Sequence, residues 1–131
     1  MATPDELKSV PLFADLSDDA RRELSVWLNE VRVPSGKHLV DEGDYAYNLF
    51  VIREGKAQVI QGGQEVAELG PGDFFGEMGV LSREGRRNAT VVAKSQMDLL
   101  TLATYDVDRM KKSAPEMLDT LAEAIKQRSG S

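Results

Sequence analysis

Two hydrophobic rhythms run along the chain. From Ser17 to Val31, the residues Ala20, Leu24, Trp27, Leu28 and Val31 recur at helical spacing, which predicts a helix with one apolar face. Ser17 is placed to cap that helix, and Asp18 and Asp19 fall in its first turn, where they oppose its positive end. Trp27 lies on the apolar face and reads as core rather than as a binding residue. Just upstream, "LKSVPLFADL" predicts a short helix or turn that carries Leu12, Phe13 and Leu16 inward.

From Val31 the rhythm shortens. Turn formers recur at Pro34-Ser35-Gly36, Glu42-Gly43-Asp44, Glu54-Gly55, Gly62-Gly63 and Gly70-Pro71-Gly72. Between and after them lie "KHLV", "NLFVIR", "KAQVIQ", "QEVAEL", "ATVVAK" and "MDLLTLA", short segments rich in β-branched and aromatic residues. Short strands punctuated this regularly predict a sandwich, jelly roll or barrel. Gln61-Gly62-Gly63-Gln64 predicts a hairpin turn, because both glycines take positive φ at no steric cost. His38 falls in a strand and reads as structural.

After Ala103 the helical rhythm returns. Thr104 is a candidate N-cap for "YDVDRMKK", and Ser113 with Glu116 has the spacing of a capping box around Pro115. The next helix places Met117, Leu118, Leu121 and Ile125 on one face, against the β domain or as a homodimer or partner contact. The Ser-Gly-Ser end is expected to be disordered. The fold class is therefore mainly β with helices at both ends.

Composition narrows the chemistry. A length of 131 residues suits one domain with its own core. Absence of cysteine excludes a disulfide framework and a thiol nucleophile, and a single histidine excludes a multi-histidine metal centre. No metal, catalytic residue or cofactor is expected, and the chain does not read as an enzyme. A formal net charge of −6 speaks against general nucleic-acid binding. No apolar run approaches membrane-spanning length and no signal pattern opens the chain, so the expected location is the cytoplasm.

One stretch, "GPGDFFGEMGVLSREGRRNAT" at residues 70–90, carries the candidate chemistry. Its glycines at 70, 72 and 76 are spaced one residue too long for a dinucleotide fingerprint, and no Gly-Lys-Ser/Thr phosphate loop is present. Gly76 lets backbone approach a ligand closely. The following "EMGVL" predicts a single helical turn with unpaired N–H groups, an anion site by geometry. A forked guanidinium from Arg87 suits phosphate oxygens. Glu77 beside that anion makes sense if it accepts hydroxyl hydrogen bonds, as acidic residues do from ribose. The alternative is an ordinary Glu77–Arg87 ion pair across a loop.

"FGEMGVL" followed by "RRNATV" resembles the phosphate-binding cassette of cyclic nucleotide-binding domains, the family of the bacterial cyclic-AMP receptor protein, cyclic-AMP-dependent kinase regulatory subunits and cyclic-nucleotide-gated channels. "VPLFADLSDDARREL", "VPSGKHLVDEGDYAYNLFVIREGKAQV" and "LGPGDFFGE" extend the resemblance over roughly residues 7–128. It implies an eight-stranded jelly-roll (double-stranded β-helix) barrel with helices at both ends. The implied organisation is lead-in helices at 4–30, barrel and cassette at 31–103, and hinge and lid helices at 104–128.

By that resemblance Glu77 takes the ribose 2′-hydroxyl and Arg87 clamps the cyclic phosphate. Backbone N–H groups of Met78, Gly79 and Ala89 surround sugar and phosphate, with Asn88 adding a side-chain contact. Phe75 and Gly76 border the site, Val59, Val66 and Leu69 line it with Phe75, and Thr90 follows the clamp. The hinge is Tyr105 to Pro115 and the lid is the helix from Pro115 to Arg128, whose Arg128 is placed to cover the base. Two departures stand out. Arg86 competes with Arg87, being nine rather than ten residues beyond Glu77; the following Asn88-Ala89-Thr90 favours Arg87. Asn88 replaces the residue that usually separates cyclic GMP from cyclic AMP, and cyclic AMP is expected ahead of cyclic GMP. The implied partners are a cyclic nucleotide and an effector protein, reached in trans or through an output domain that this chain lacks. The complete lead-in favours a natural start. The competing reading is a protein-interaction module with a vestigial pocket.

Overall fold

The computed structural model describes residues 3–43, 48–76 and 89–128. Three helices open the chain: α1 (Pro4–Leu7), α2 (Pro11–Ala14) and α3 (Asp18–Trp27). Eight strands follow: β1 (Asn29–Val33), β2 (His38–Val40), β3 (Leu49–Glu54), β4 (Ala57–Gln61), β5 (Gln64–Leu69), β6 (Phe74–Phe75), β7 (Thr90–Ala93) and β8 (Met97–Leu102). Helices α4 (Thr104–Ser113) and α5 (Pro115–Arg128) close the order.

The strands form two antiparallel sheets, ordered β1-β8-β3-β6 and β2-β7-β4-β5, with successive strands often crossing from one sheet to the other. That order is a jelly roll. Among the described residues no ladder joins the two sheets, so the expected barrel is a sandwich rather than a closed cylinder. The β4–β5 hairpin turns at Gly62 and Gly63 with φ of 58° and 81°, and Gln61 pairs with Gln64, as the turn chemistry demands.

The first sheet is buried on both faces. Leu49, Val51, Leu100 and Leu102 join Phe13, Leu24 and Leu121 in a core under the helices. Ile52, Met97 and Leu99 face the other way, into the interior shared with Ala57, Val91 and Ala93 of the second sheet. Adjacent Leu99 and Leu100 therefore serve opposite cores, because successive strand residues alternate faces.

Polar anchors hold the lead-in helices. Ser17 caps α3, its Oγ accepting from the Ala20 N–H at 3.1 Å. The buried Arg21 guanidinium donates to the carbonyls of Phe13, Ala14 and Leu16, around the end of α2, and to Asp18. Arg53 of β3 forks onto Asp98 of β8 at 3.0 and 2.9 Å and reaches Glu6 of α1 at 3.1 Å and Glu30 of β1 at 3.1 Å. Burial opposes its charge, but Asp98 and Glu30 outweigh that and hold its pKa above the usual arginine value.

Three local expectations are corrected. The helix read as running to Val31 ends at Trp27, and Val31 pairs with Leu99 in β1, so the lead-in stops short of residue 30. Thr104 is the first residue of α4 and Ala103 holds the cap position, without a side-chain cap. Ser113 makes no capping box: it ends α4, and its hydroxyl donates back to the Arg109 carbonyl at 2.9 Å. Two residues foreseen as inward, Leu12 and Phe13, are buried, as is the whole Met117, Leu118, Leu121, Ile125 stripe of α5.

Candidate ligand-binding site

The described residues frame the candidate stretch from both sides. On the entry side, a tight turn aims β6. The Asp73 N–H donates to the Gly70 carbonyl at 3.0 Å, and its carboxylate accepts from the Gly70 N–H at 2.8 Å. The Gly72 N–H reaches the Ile52 carbonyl at 2.8 Å, and the Ile52 N–H reaches the Asp73 carbonyl at 2.9 Å, locking the turn to β3. Phe74 and Phe75 then pair with Val51 and Phe50. The Phe75 ring stacks on Phe50 with centroids 4.9 Å apart and planes 13° apart, an offset aromatic pair at the edge of the first sheet. Gly76 follows with φ of 80°, a conformation that strains any side-chain-bearing residue.

On the exit side the chain is caught by the second sheet. Ala89 is buried, and Thr90 opens β7. The Thr90 hydroxyl accepts from the Glu42 N–H at 2.9 Å, and the Glu42 carboxylate accepts from the Gly62 N–H at 3.3 Å. Glu42 thus ties the end of β2 and the β4–β5 hairpin to the start of β7.

Between these feet, Val59 and Leu69 are partly buried against the sandwich core, whereas Val66 of β5 is 54 % exposed. Of the expected site residues, Phe75 and Gly76 thus end β6, Ala89 and Thr90 enter β7, Val59 lies within β4, and Val66 and Leu69 lie on the β5 edge. Glu77, Met78, Gly79, Arg86, Arg87 and Asn88 lie outside the described residues, as does the Arg128 side chain. Three contributors were not foreseen: Phe50, Asp73 and Glu42. The acidic residues sit in the Pro-Gly-Asp and Glu-Gly-Asp turns, a signal that could have flagged them; the Phe50 stack depends on strand pairing and left no local mark.

Charges nearby are paired on the surface. Lys94 binds Glu65 and Glu68 at 3.3 and 3.0 Å, and Lys56 binds Glu68 at 3.3 Å. Hydrogen bonds from Lys94 and then Lys56 hold the Glu68 carboxyl below its usual range. Among the described residues no cluster of histidine and carboxylate groups could hold a metal. No described helix is long and apolar enough to cross a membrane.

Two antiparallel sheets in this strand order, with helices before and after them, define a jelly-roll domain. Residues 30–113 match the cyclic nucleotide-binding domain family, and the chain belongs to that family. It is similar to a cyclic nucleotide-gated potassium channel of Rhizobium etli, 35% identical over 122 residues, 93% of this chain and 34% of the channel. It is also similar to a cyclic AMP receptor protein of Thermus thermophilus, 32% identical over 127 residues, 93% of this chain and 58% of the receptor. Among solved structures, the N-terminal domain of a transcriptional regulator from Streptomyces coelicolor superposes with a TM-score of 0.75 at 34% identity, covering 93% of this chain and 90% of that one. The chain thus spans about a third of the channel's length and 58% of the receptor's.

Proposed function

We propose that this chain binds a cyclic nucleotide, cyclic AMP ahead of cyclic GMP, and transmits binding through its C-terminal helices as a regulatory domain. The observation that carries the reading is the family match over residues 30–113, which includes both feet of the candidate stretch and the full run between them. In this reading Glu77 accepts the ribose 2′-hydroxyl, Arg87 clamps the phosphate, and the N–H groups of Met78, Gly79 and Ala89 complete the sugar-phosphate cradle with Asn88. The stacked Phe75 and the positive-φ Gly76 set the cradle's entry; Val59, Val66 and Leu69 supply its apolar wall.

Signalling requires that the ligand favour one of two arrangements of α4 and α5. The break at Ala114, between the two helices, is the natural pivot, and α5 with Arg128 is the lid. The effector is a partner in trans or an output domain joined to this one, and the cytoplasm is the site of action.

Calorimetry tests the reading. Cyclic AMP is expected to bind in about the micromolar range. Arg87→Ala should weaken it by about a hundredfold, the loss of a forked charge-assisted pair, and Arg86→Ala by less than about threefold. No heat at millimolar cyclic AMP and cyclic GMP overturns the proposal and leaves an interaction module with a vestigial pocket. Equal losses in the two variants overturn the assignment of the clamp.

A further inference from the structure

Outside the sandwich, α2 and α5 enclose an open cleft of about 420 Å³. Its floor is apolar, built by Leu12, Leu16 and Ala124, and its rim carries three carboxylates, Asp15, Asp119 and Glu123. The lining contains no lysine or arginine. Leu16 and Ala124 are only partly buried, so the floor is accessible from solvent.

Two features of this cleft are unfavourable for the chain alone. Asp119 and Glu123 stand four residues apart on one helix, a like-charge spacing that costs α5 a few tenths of a kcal/mol. Among the described residues neither forms an ion pair, although Lys126 stands three residues beyond Glu123 on the same helix. Above the buried Leu12, the floor residues Leu16 and Ala124 also stay partly exposed, whereas the Met117, Leu118, Leu121 and Ile125 stripe of α5 is buried. A partner that brings positive charge to the rim and an apolar side chain to the floor relieves both.

We propose that the α2–α5 cleft is a docking site for a basic amphipathic helical segment of another protein, with an apolar anchor on Leu16 and Ala124 and lysines or arginines against Asp119 and Glu123. Charge complementarity selects this occupant. The rim repels anions and acidic peptides, and a trough between two helices suits a helix laid in a groove. The net charge of −6 steers a cationic segment toward the chain in general, but only the cleft adds the apolar anchor. The inference stands independently of nucleotide binding.

The probe is a fluorescein-labelled helical peptide of about 14 residues, with leucines at helical spacing on one face and lysines and alanines elsewhere, titrated against the whole chain by anisotropy. Saturable binding is expected, weakened at least about tenfold by Glu123→Lys and by less than about twofold by Glu23→Lys, an equal charge change on exposed α3. Ala124→Gln fills the floor without changing charge or helix propensity greatly, and is expected to weaken binding about fivefold or more. Circular dichroism of each variant confirms the fold. Equal loss in Glu23→Lys and Glu123→Lys, unchanged binding in Ala124→Gln, or no saturation at all overturns the proposal. So does sedimentation of the chain alone as a dimer that Ala124→Gln dissolves, since the occupant is then a second copy.

Discussion

On the helical side of the first sheet, Phe13, Leu24, Leu100 and Leu121 are fully buried, and α3 and α5 close over them. Between the two sheets the filling is smaller: Ala57, Ala93, Val33 and Val91 alternate with Ile52, Met97 and Leu99, and Val59 and Leu69 remain only partly buried. The same strands, β3 and β8, wall both interiors. The difference teaches that the first sheet is the rigid partition of the molecule. Its helical face is sealed by large apolar side chains, and its inner face packs smaller ones beside the Phe50–Phe75 pair.

The largest expected effect comes from breaking the sealed side. Leu100→Ala removes a fully buried side chain and should cost about 3–4 kcal/mol in urea unfolding, whereas Val59→Ala, on the partly buried side, should cost about 1 kcal/mol. Comparable losses would mean that the inner face is as tightly packed as the outer. A middle-sized effect distinguishes regions within the sandwich itself. Gly55 has φ of 93°, and a Cβ there would lie 2.4 Å from the Gln96 carbonyl oxygen and 2.9 Å from the Met97 Cα, so backbone must move. Gly55→Ala should cost about 3 kcal/mol or more, against about 1–2 kcal/mol for Gly63→Ala, where φ of 81° strains a side-chain-bearing residue but the Cβ meets nothing. Denaturant midpoints of the two variants check this.

The smallest effect sharpens the comparison from the surface. The Arg21 hydrogen bond, then the Lys8 charge, holds the Asp18 carboxyl below its usual value. A depressed carboxyl contributes stability above its unfolded pKa and loses it as pH falls through the folded one. The stability difference between the native chain and Asp18→Asn should therefore be present at neutral pH and shrink in acid, below the usual aspartate range. Thermal melts at several pH values measure it. A difference that grew toward acid would contradict the assignment.

Much of this was readable along the chain. The Ser17 cap, the Gly62-Gly63 hairpin, the short strands and the Met117-to-Ile125 stripe are written locally, in turn chemistry and period. The candidate site was legible as a motif for the same reason: Glu77 and Arg87 are ten residues apart, and their meaning rests on neighbours in sequence. What escaped was decided by long-range pairing. Val31 continues the helical spacing of α3, yet five residues from Asn29 to Val33 find β8 as a ladder partner, and those hydrogen bonds override local propensity. Ser113 has capping-box spacing, yet it stays in α4 and its hydroxyl bonds locally, to the Arg109 carbonyl.

The sequence alone determined the class of fold and the places where the chain turns, because each depends on side chains within a few positions of one another. Only the tertiary structure decided which of Leu99 and Leu100 faces the helices, that Phe50 backs Phe75, and that Glu42 ties Thr90 to Gly62. Those outcomes depend on register between strands far apart in the chain, where a shift of one residue turns every side chain to the opposite face.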